Sequence, residues 1–174
     1  MARIKMTTGL FVGRFQPFHK GHLADIKAAL KECDELIIAI GSSQHSNAAD
    51  NPFSFEERVR MIEDTLAAEG IEHYTIFAVP DINDDTRWVE HVETLVPKFD
   101  IVYTGNQKTD RLFKQRYHKV KRVEMVQGVN STTIRKRMIS DRGWQSLVPE
   151  QVSDYIKDID GVKRLKEVSG KNVE

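Results

Sequence analysis

Residues 9–22 read Gly9-Leu10-Phe11-Val12-Gly13-Arg14-Phe15-Gln16-Pro17-Phe18-His19-Lys20-Gly21-His22 and change in character halfway along. Leu10, Phe11 and Val12 form a continuous apolar run, which is typical of a strand that is buried on both faces of a parallel sheet. From Leu23 onward the apolar residues recur at helical spacing. The segment therefore predicts a buried strand, a turn and the start of a helix.

The polar residues of this turn suit an anion better than a metal ion. A helix N-terminus has unpaired N–H groups and a partial positive charge, so Arg14, His19 and His22 would surround a negatively charged group there. Helical metal-binding histidines are usually four residues apart with a third ligand nearby, but these two are three apart and the one cysteine, Cys33, is isolated. We therefore predict phosphate binding and no metal held by protein side chains.

A second continuous apolar run, Glu35–Gly41, predicts another buried strand. Because strand, helix and strand follow one another with short connections, the pattern predicts a right-handed parallel crossover. The alternation continues with strands predicted at Tyr74–Pro80, Phe99–Asn106 and Lys119–Val126, and with helices predicted at Lys20–Lys31, from Ser54 to before Gly70, from Asp84 to about Leu95, and at Pro149–Ile159. We predict an α/β, Rossmann-like fold, whose parallel sheet carries helices on both faces and binds ligands beyond the carboxyl ends of its strands.

Length and composition limit the organisation and the partners. The 174 residues predict a single domain, with C-terminal helices at about residues 149–168 packed on it and a frayed tail at 169–174. The 26 basic and 26 acidic residues cancel, so we expect neither a nucleic-acid partner nor a membrane surface. No apolar run approaches the ~18 residues of a membrane span. With one cysteine and no apolar signal-peptide core in Met1–Met6, we predict a cytoplasmic protein.

The segment after the second strand carries a loop and then a capped helix. The loop Ser42–Pro52 is polar and too long for a minimal turn, so we predict a mobile element at the rim of the substrate site. Ser54 and Glu57 form a predicted capping box. The helix that follows has a predicted buried face of Phe55, Val59, Ile62 and Leu66. Arg58 is assigned a structural role, either solvated or ion-paired.

Two motifs resemble one enzyme superfamily. Residues 14–22 resemble the His-x-Gly-His nucleotidyltransferases, and the Gly-Arg-Phe-Gln-Pro-Phe-His form is similar to archaeal nicotinamide mononucleotide (NMN) adenylyltransferases. Val129–Met138 resembles the Ile-Ser-Ser-Thr-x-x-Arg signature of the same superfamily, with Asn130 where serine is common. The resemblance implies a Rossmann-like enzyme of NAD biosynthesis, which joins the adenylyl group of ATP to NMN and releases pyrophosphate.

The resemblance also implies which residues contact ATP. His19 and His22 would contact the ATP phosphates as catalytic residues, and Arg135 would hold the leaving pyrophosphate. Ser131 and Thr132 are natural N-caps, and the N–H groups near Thr132 would assist Arg135. The further ATP contacts implied by the resemblance are Gly13, Arg14, Gly105 and Asn106. Mg²⁺ is expected with ATP, held mainly by phosphate oxygens and water. Archaeal relatives are homo-oligomers, often hexamers, so the same is implied here.

Three residues are assigned to NMN by the same resemblance. For Trp88, core packing and ligand contact are equally open on the sequence alone, whereas the resemblance implies stacking on the cationic nicotinamide ring. Asp85 aligns with an asparagine of similar proteins; it can accept from the carboxamide NH₂ but would repel the carboxylate of the acid nucleotide. Phe15 completes the set. Asp50 stands where many archaeal relatives have an arginine, which leaves a phosphate contact from this loop in doubt.

Two alternative functions stay open. The chain could be another adenylyl- or cytidylyltransferase of the superfamily, acting on a flavin, pantetheine or alcohol phosphate, and Trp88 argues against this. It could also be a nucleotide-sensing module that binds ATP without turnover. The intact His19, His22 and Arg135 argue against that second alternative.

Overall fold

A computed structural model of the protein describes residues 5–124 and 126–170 and contains a five-stranded sheet. The strands are β1 (Thr8–Gly13), β2 (Glu35–Gly41), β3 (Tyr74–Val79), β4 (Ile101–Thr104) and β5 (Val120–Arg122). Their order in the sheet is β3-β2-β1-β4-β5, and all four pairings are parallel. The predicted α/β parallel-sheet fold is confirmed, and β1 is its central strand.

The helices follow the predicted alternation with two additions. They are α1 (Lys20–Ala29), α2 (Phe55–Ala68), α3 (Asp85–Leu95), α4 (Gln107–Gln115), α5 (Ser131–Ile139), α6 (Glu150–Asp158) and α7 (Gly161–Val168). Helix α4 and a short 3₁₀ helix, Trp144–Leu147, lie outside the predicted elements. Of the two, α4 buries only Leu112 and Phe113, so its apolar pattern is too short to be recognised. Nowhere in residues 5–124 and 126–170 does a helix have the length and apolar character to span a bilayer.

The chain divides into two compact units, which are described separately. The sheet unit comprises residues 1–13, 24–42 and 73–124 and contains all five strands. The motif unit comprises residues 14–23, 43–72 and 125–174 and contains the histidine motif and the second motif. The folding of residues 1–174 as a single domain stays a prediction.

The sheet unit has an apolar core built on the continuous apolar strands. Side chains of β1, β2 and β4, such as Leu10, Ile37 and Val102, pack with Val89 of α3 and with α4. Gly9 is required by close packing, because a Cβ atom there would lie 2.8 Å from a ring carbon of Tyr103. From β1 the chain adds β2 and β3 on one side of the sheet and then crosses to the other side of β1 to add β4 and β5. The direction in which strands are added therefore reverses between β1 and β4. Ligands of open parallel sheets bind beyond the carboxyl ends of strands at such a reversal.

In the motif unit, α2 begins as predicted but buries a different face. Ser54 is the N-cap, and both hydrogen bonds of the capping box with Glu57 are present. The predicted face is correct for two of its members, Ile62 and Leu66, whereas Phe55 and Val59 are only half-buried. The fully covered positions also include Arg58, Met61 and Thr65. The buried stripe is thus rotated, and it contains a charged residue.

The C-terminal helices pack within the motif unit, and one boundary differs from the prediction. Helix α6 packs on α2 and α7, and α7 packs on α5. Helix α6 ends at Asp158, one residue before the predicted Ile159, and Gly161 is the first residue of α7. A Cβ atom on Gly161 would lie 3.0 Å from a ring carbon of Phe53, so glycine permits this close approach. Of the predicted tail, residues 171–174 lie outside the described residues, as does Met125 of the predicted strand at 119–126.

Arg164 of α7 is expected to contribute strongly to the stability of this unit. Its two terminal nitrogens each donate to one carboxylate oxygen of Glu57, at 2.8 Å, and both side chains are mostly buried. Replacing Arg164 with methionine should lower the free energy of unfolding by about 1–3 kcal/mol, because the Glu57 carboxylate loses a two-bonded partner. Urea unfolding measures this loss. Lys163→Met, an exposed change on the same helix, is the control, and equal stabilities of the two variants would contradict the expectation.

Candidate active site

His19 and His22 hold each other in one arrangement at the start of α1. The main-chain N–H of His19 donates to Nδ1 of His22, and the main-chain N–H of His22 donates to Nδ1 of His19, both at 3.2 Å. The rings are stacked, with their centroids 3.5 Å apart. Because each Nδ1 accepts a hydrogen bond, the proton of each neutral ring is on Nε2. The pair therefore has two Nε2–H donors in a fixed orientation.

Both imidazoles are uncharged at neutral pH. Burial lowers the pKa of His19 to about 4. The pKa of His22 lies well below its ordinary value, chiefly through burial and further through the nearby charge that His19 would carry. The histidines can therefore donate hydrogen bonds to an anion without first binding a proton. An anion beside them would raise both pKa values, because an opposite charge favours the protonated form.

The residues around the two rings explain the spacing of the motif. A Cβ atom on Gly21 would lie 3.0 Å from two atoms of the His19 ring, so glycine leaves room for that ring. Phe15 meets His22 edge to face, with centroids 4.7 Å apart, and Phe18 stacks on the same ring at 5.5 Å. Phe15 as a whole residue is 1% exposed, so both its ring and its main chain are covered. The NMN contact of Phe15 stays a prediction.

The second motif lies against the turn of the first motif within the motif unit. Arg135 donates from Nη1 to the carbonyl oxygen of Gln16 at 2.8 Å, and Ser131 Oγ donates to that of Pro17 at 3.1 Å. Arg135 is buried, and this burial lowers its pKa, with the charge of Arg14 adding to the effect. The structure thus brings two predicted ATP-binding segments together.

The start of α5 differs from the prediction by one residue. Asn130 is the N-cap, since its side chain accepts from the main-chain N–H of Thr133 at 2.8 Å. Ser131 and Thr132 are consequently the first two helical residues rather than caps. Asparagine, serine and threonine all cap helices well, so the sequence alone does not decide which of the three consecutive residues is the N-cap. Thr132 is exposed in the first turn of the helix.

Arg14 is the exposed cation of the site. Its Nη1 lies 3.9 Å from a carboxylate oxygen of Asp50, and both side chains are at least half exposed. An ion pair of this length and exposure contributes little to stability. The electrostatic effects of Arg14 and Asp50 on Arg135 are opposite in sign, which shows that the three charges are neighbours. A bound phosphate can therefore displace the weak Asp50 contact.

Two buried residues shape this turn: Gln16, which was not predicted as a site residue, and Arg58, which was assigned only a structural role. Gln16 is buried, and its side-chain amide exchanges two hydrogen bonds with the main chain of Phe53, at 2.8 and 2.9 Å. Arg58 is completely buried and donates to the carbonyl oxygen of Arg14 at 3.0 Å, which excludes the solvated alternative. A polar residue between aromatic and proline neighbours was the available signal for Gln16, whereas nothing in the sequence indicated the burial of Arg58 or its contact with Arg14.

The remaining predicted ATP residues lie in the sheet unit. Gly13 ends β1, and Gly105 directly follows β4, so both are at the carboxyl ends of neighbouring strands. Asn106 is the N-cap of α4, and its side chain accepts from the main-chain N–H of Thr109 at 3.0 Å. Its own main-chain N–H donates to Thr104 Oγ1. The structure therefore gives Asn106 a capping role that the sequence analysis did not foresee.

Trp88 and Asp85 lie on α3 of the sheet unit. Trp88 is half-buried and meets Phe113 edge to face, with ring centroids 5.8 Å apart, at the margin of the apolar core. Asp85 is exposed in the first turn, and a carboxylate oxygen lies 2.7 Å from Nζ of Lys108. Trp88 thus combines a core contact with a partly accessible ring. Lys108, which lies two residues after the predicted ATP contact Asn106, is an addition to the predicted site.

Within the part of the chain that the structure describes, no three histidine, cysteine, aspartate or glutamate residues are grouped to hold a metal ion. The predicted phosphate-binding side chains of the motif unit are the cationic Arg14 and Arg135 and the imidazoles of His19 and His22. Such donors suit phosphate oxygens, and they would repel a cation that arrived without its own anionic ligands.

Known proteins match this chain over most of its length. A family model described as cytidylyltransferase-like matches residues 10–137. The nicotinamide-nucleotide adenylyltransferase of Thermococcus sibiricus is 47% identical over 162 residues, which cover 91% of this chain and 87% of the relative. The chain belongs to the nicotinamide-nucleotide adenylyltransferase family. The corresponding protein of Thermoplasma volcanium is 42% identical over 171 residues, covering 97% of this chain and 96% of the relative.

A solved structure shares the fold of this adenylyltransferase family member. It is a bifunctional NMN adenylyltransferase/ADP ribose pyrophosphatase of Francisella tularensis, solved with AMP and a manganese ion. The TM-score is 0.72 with 24% identity, and the match covers 95% of this chain and 52% of that one. The chain thus spans about half the length of the bifunctional protein, and the likeness establishes the fold alone.

Proposed function

We propose that the protein transfers the adenylyl group of ATP to the 5′-phosphate of NMN and so forms NAD⁺ and pyrophosphate. The observation that carries the proposal is the locked His19–His22 pair, whose two neutral Nε2–H donors share a unit with Arg14 and Arg135. Relatives that bear the name of this activity match more than nine-tenths of the chain. The alternative acceptors and the sensing module are therefore less well supported.

The reaction is an in-line displacement at phosphorus. An oxygen of the NMN phosphate attacks the α-phosphorus of ATP, the bond from that phosphorus to the bridging oxygen breaks, and pyrophosphate leaves with the bond electrons. The second pKa of a phosphate monoester is about 6, so the nucleophile is mostly dianionic at neutral pH and needs no protein base. Catalysis then depends on positioning the two phosphates and on stabilising the charge that develops.

In this proposal the motif unit binds the phosphates. His19 and His22 donate through Nε2–H to oxygens around the α-phosphorus, where hydrogen bonds strengthen as negative charge builds up. Arg135 and the N–H groups of the first turn of α5, at Ser131 and Thr132, hold the leaving pyrophosphate. Arg14 binds phosphate after releasing Asp50. Each of these proposed phosphate-binding groups thus contacts a different part of the reacting phosphates.

The sheet unit is proposed to bind the two nucleosides. Gly13 and Gly105 allow a close approach at the carboxyl ends of β1 and β4, and Asn106 contributes to the adenine contact. Trp88 stacks on the nicotinamide ring through its accessible face, and Asp85 accepts from the carboxamide NH₂. Phe15, which is buried in the motif unit, completes the proposed NMN set.

We propose Mg²⁺ as the metal that accompanies ATP. Mg²⁺ favours oxygen ligands and usually keeps several waters, so the phosphate oxygens of ATP would supply its anionic ligands. The cationic and N–H donors of the motif unit fit a nucleotide that brings the metal with it. Bound Mg²⁺ would neutralise part of the phosphate charge during the displacement.

Assembly and location are proposed from the resemblance. We propose a homo-oligomer, with the hexamer as the expected form, acting in the cytoplasm without a nucleic-acid or membrane partner. Light scattering coupled to size-exclusion chromatography measures the mass of the assembly in solution.

The function is tested by measuring pyrophosphate release from ATP with a panel of acceptors. The panel contains NMN, nicotinate mononucleotide, flavin mononucleotide, phosphopantetheine and phosphocholine. The proposal requires NMN to be among the best acceptors and requires NAD⁺ to form in the same amount as pyrophosphate. A preference for the flavin, pantetheine or choline phosphate would assign a different transferase. ATP binding without turnover of any acceptor would favour the sensing module.

Asp85 is expected to set the preference for the amide nucleotide over the acid nucleotide. Its carboxylate would repel the carboxylate of nicotinate mononucleotide, and the bound Lys108 reduces this repulsion. Asp85→Asn should therefore lower the ratio of kcat/KM for NMN to kcat/KM for nicotinate mononucleotide about fivefold, a factor that corresponds to ~1 kcal/mol. Lys108→Met should raise this ratio. Steady-state kinetics with both acceptors measures the ratios. A ratio unchanged by Asp85→Asn would contradict the assignment.

A further inference from the structure

The turn that follows β1 is held by side chains that donate to its carbonyl oxygens. Arg58 donates to the carbonyl oxygen of Arg14, Arg135 to that of Gln16 and Ser131 to that of Pro17, at 3.0, 2.8 and 3.1 Å. Two of these donors, Arg135 and Ser131, already belong to the proposed ATP site. Arg58 is the third, and neither the resemblance nor the proposed reaction gives it a role.

Arg58 is completely buried on the covered face of α2. Its Nε donates to the carbonyl oxygen of Ser54 at 3.1 Å, and its Nη1 donates to that of Arg14. Its helical neighbours on this face include Met61 and Ile62. Burying a guanidinium is costly, and a hydrophobic side chain of similar size often gives an equal or more stable core. Packing alone therefore does not explain an arginine at this position.

The backbone beside the Arg58 contact explains what the guanidinium does. Phe15 has φ of 54°, in the left-handed region that residues other than glycine rarely adopt. The peptide bond that joins Arg14 to Phe15 is planar, so its N–H points away from its carbonyl oxygen. By holding the Arg14 oxygen, Arg58 fixes the orientation of this peptide plane. It thereby fixes the direction of the Phe15 N–H and the position from which the Arg14 side chain extends.

We propose that Arg58 is a positioning residue that orients the Arg14–Phe15 peptide for substrate binding. The proposal rests on the proposed function, in which Arg14 is a phosphate ligand. Arg58 itself touches no substrate. Its effect passes through the conformation of one peptide unit, and it should therefore change substrate affinity more than the rate of the chemical step.

The test compares Arg58→Met, Arg58→Lys and the control Arg60→Met. Arg60 is two residues along the same helix and is exposed, in a surface pair with Asp64. Arg58→Met should raise the KM for ATP about tenfold, because a small misplacement of a binding group has a large effect on productive geometry. Arg58→Lys retains a donor but cannot bridge two carbonyls, so it should give an intermediate KM. Arg60→Met should leave KM unchanged.

A residue that only stabilises the fold would give a different result. Loss of stability lowers the fraction of active molecules, which lowers the apparent kcat and leaves KM unchanged. An unchanged KM for ATP in both Arg58 variants would therefore overturn the proposal. If Arg58→Met fails to fold, Arg58→Lys decides the question by the same KM criterion, with circular dichroism confirming its fold.

A double-mutant cycle with Arg14→Met tests whether Arg58 changes ATP binding through Arg14. If Arg58 acts through the Arg14 peptide, Arg58→Met should change the KM for ATP less than about twofold once Arg14 is methionine, since coupled residues are not additive. If the two substitutions instead change the KM for ATP independently, so that their fold-changes multiply in the double variant, the proposal is overturned. ATP affinity measured by calorimetry repeats the comparison without turnover. Failure of the wild type to form NAD⁺ would reject the proposed function but leave this binding test intact.

Discussion

Replacing His19 with alanine is expected to lower kcat by about a hundredfold or more, since the proposed mechanism loses a fixed hydrogen-bond donor near the reacting phosphorus. His19 is buried, and its Nδ1 accepts the main-chain N–H of His22. The Nε2–H is consequently the donor that this ring offers to a ligand. The expected loss is one of transition-state stabilisation, so kcat should fall more than ATP affinity.

Two amide variants distinguish the Nε2–H donor of His19 from the hydrogen bond that its Nδ1 accepts. In asparagine the side-chain amide lies near the Nδ1 position, so His19→Asn can accept from His22 but has no donor at the Nε2 position. In glutamine the amide nitrogen reaches the Nε2 position. His19→Gln should therefore retain more activity than His19→Asn or His19→Ala in steady-state assays of NAD⁺ formation. Wild-type kcat in His19→Asn would contradict a catalytic role for the Nε2–H group.

Replacing Arg135 with methionine is expected to lower kcat by about a hundredfold to a thousandfold, because arginine contacts with a leaving phosphate can contribute factors of this size. Arg135→Lys should recover only part of the loss, since lysine retains the charge but not the planar set of donors. Arg135 also donates to the carbonyl oxygen of Gln16, so both variants should unfold more easily. The stability change is measured separately by thermal unfolding.

The reverse reaction distinguishes pyrophosphate binding from this structural bond. In the formation of ATP from NAD⁺ and pyrophosphate, Arg135→Lys should raise the KM for pyrophosphate about tenfold or more, while the KM for NAD⁺ changes little. Lys136→Met, an exposed change on the same helix, is the control and should leave both values unchanged. An unchanged KM for pyrophosphate in Arg135→Lys would remove Arg135 from the leaving-group site.

Local signals predicted much of the fold. The continuous apolar runs of β1 and β2 predicted parallel buried strands, and the Ser54–Glu57 capping box predicted the start of α2 to the residue. These predictions succeeded because the signal and the structure involve the same few neighbouring residues. Helix α4 has mostly polar residues, and the resemblance implied an ATP contact rather than a cap for its N-cap Asn106, so the local pattern was ambiguous.

The candidate site was harder to predict because its contacts join distant parts of the chain. The two motifs were recognisable as sequence, but their hydrogen bonds join residues more than a hundred positions apart, as in Arg135 with Gln16. Arg58 contacts Arg14, which is 44 positions away, and neither its complete burial nor the left-handed conformation of Phe15 has a local sequence signal. The proton positions of His19 and His22 follow from two reciprocal hydrogen bonds that helical spacing permits but does not specify.

In the proposed reaction, the phosphate of NMN attacks the α-phosphorus of ATP. Parallel reactions with NMN and ATP labelled at either the α- or the γ-phosphorus test it directly. The α-label should appear in NAD⁺ and the γ-label only in pyrophosphate, with the two products in equal amounts. Transfer of the γ-label to the mononucleotide, or release of AMP or ADP without NAD⁺, would contradict it.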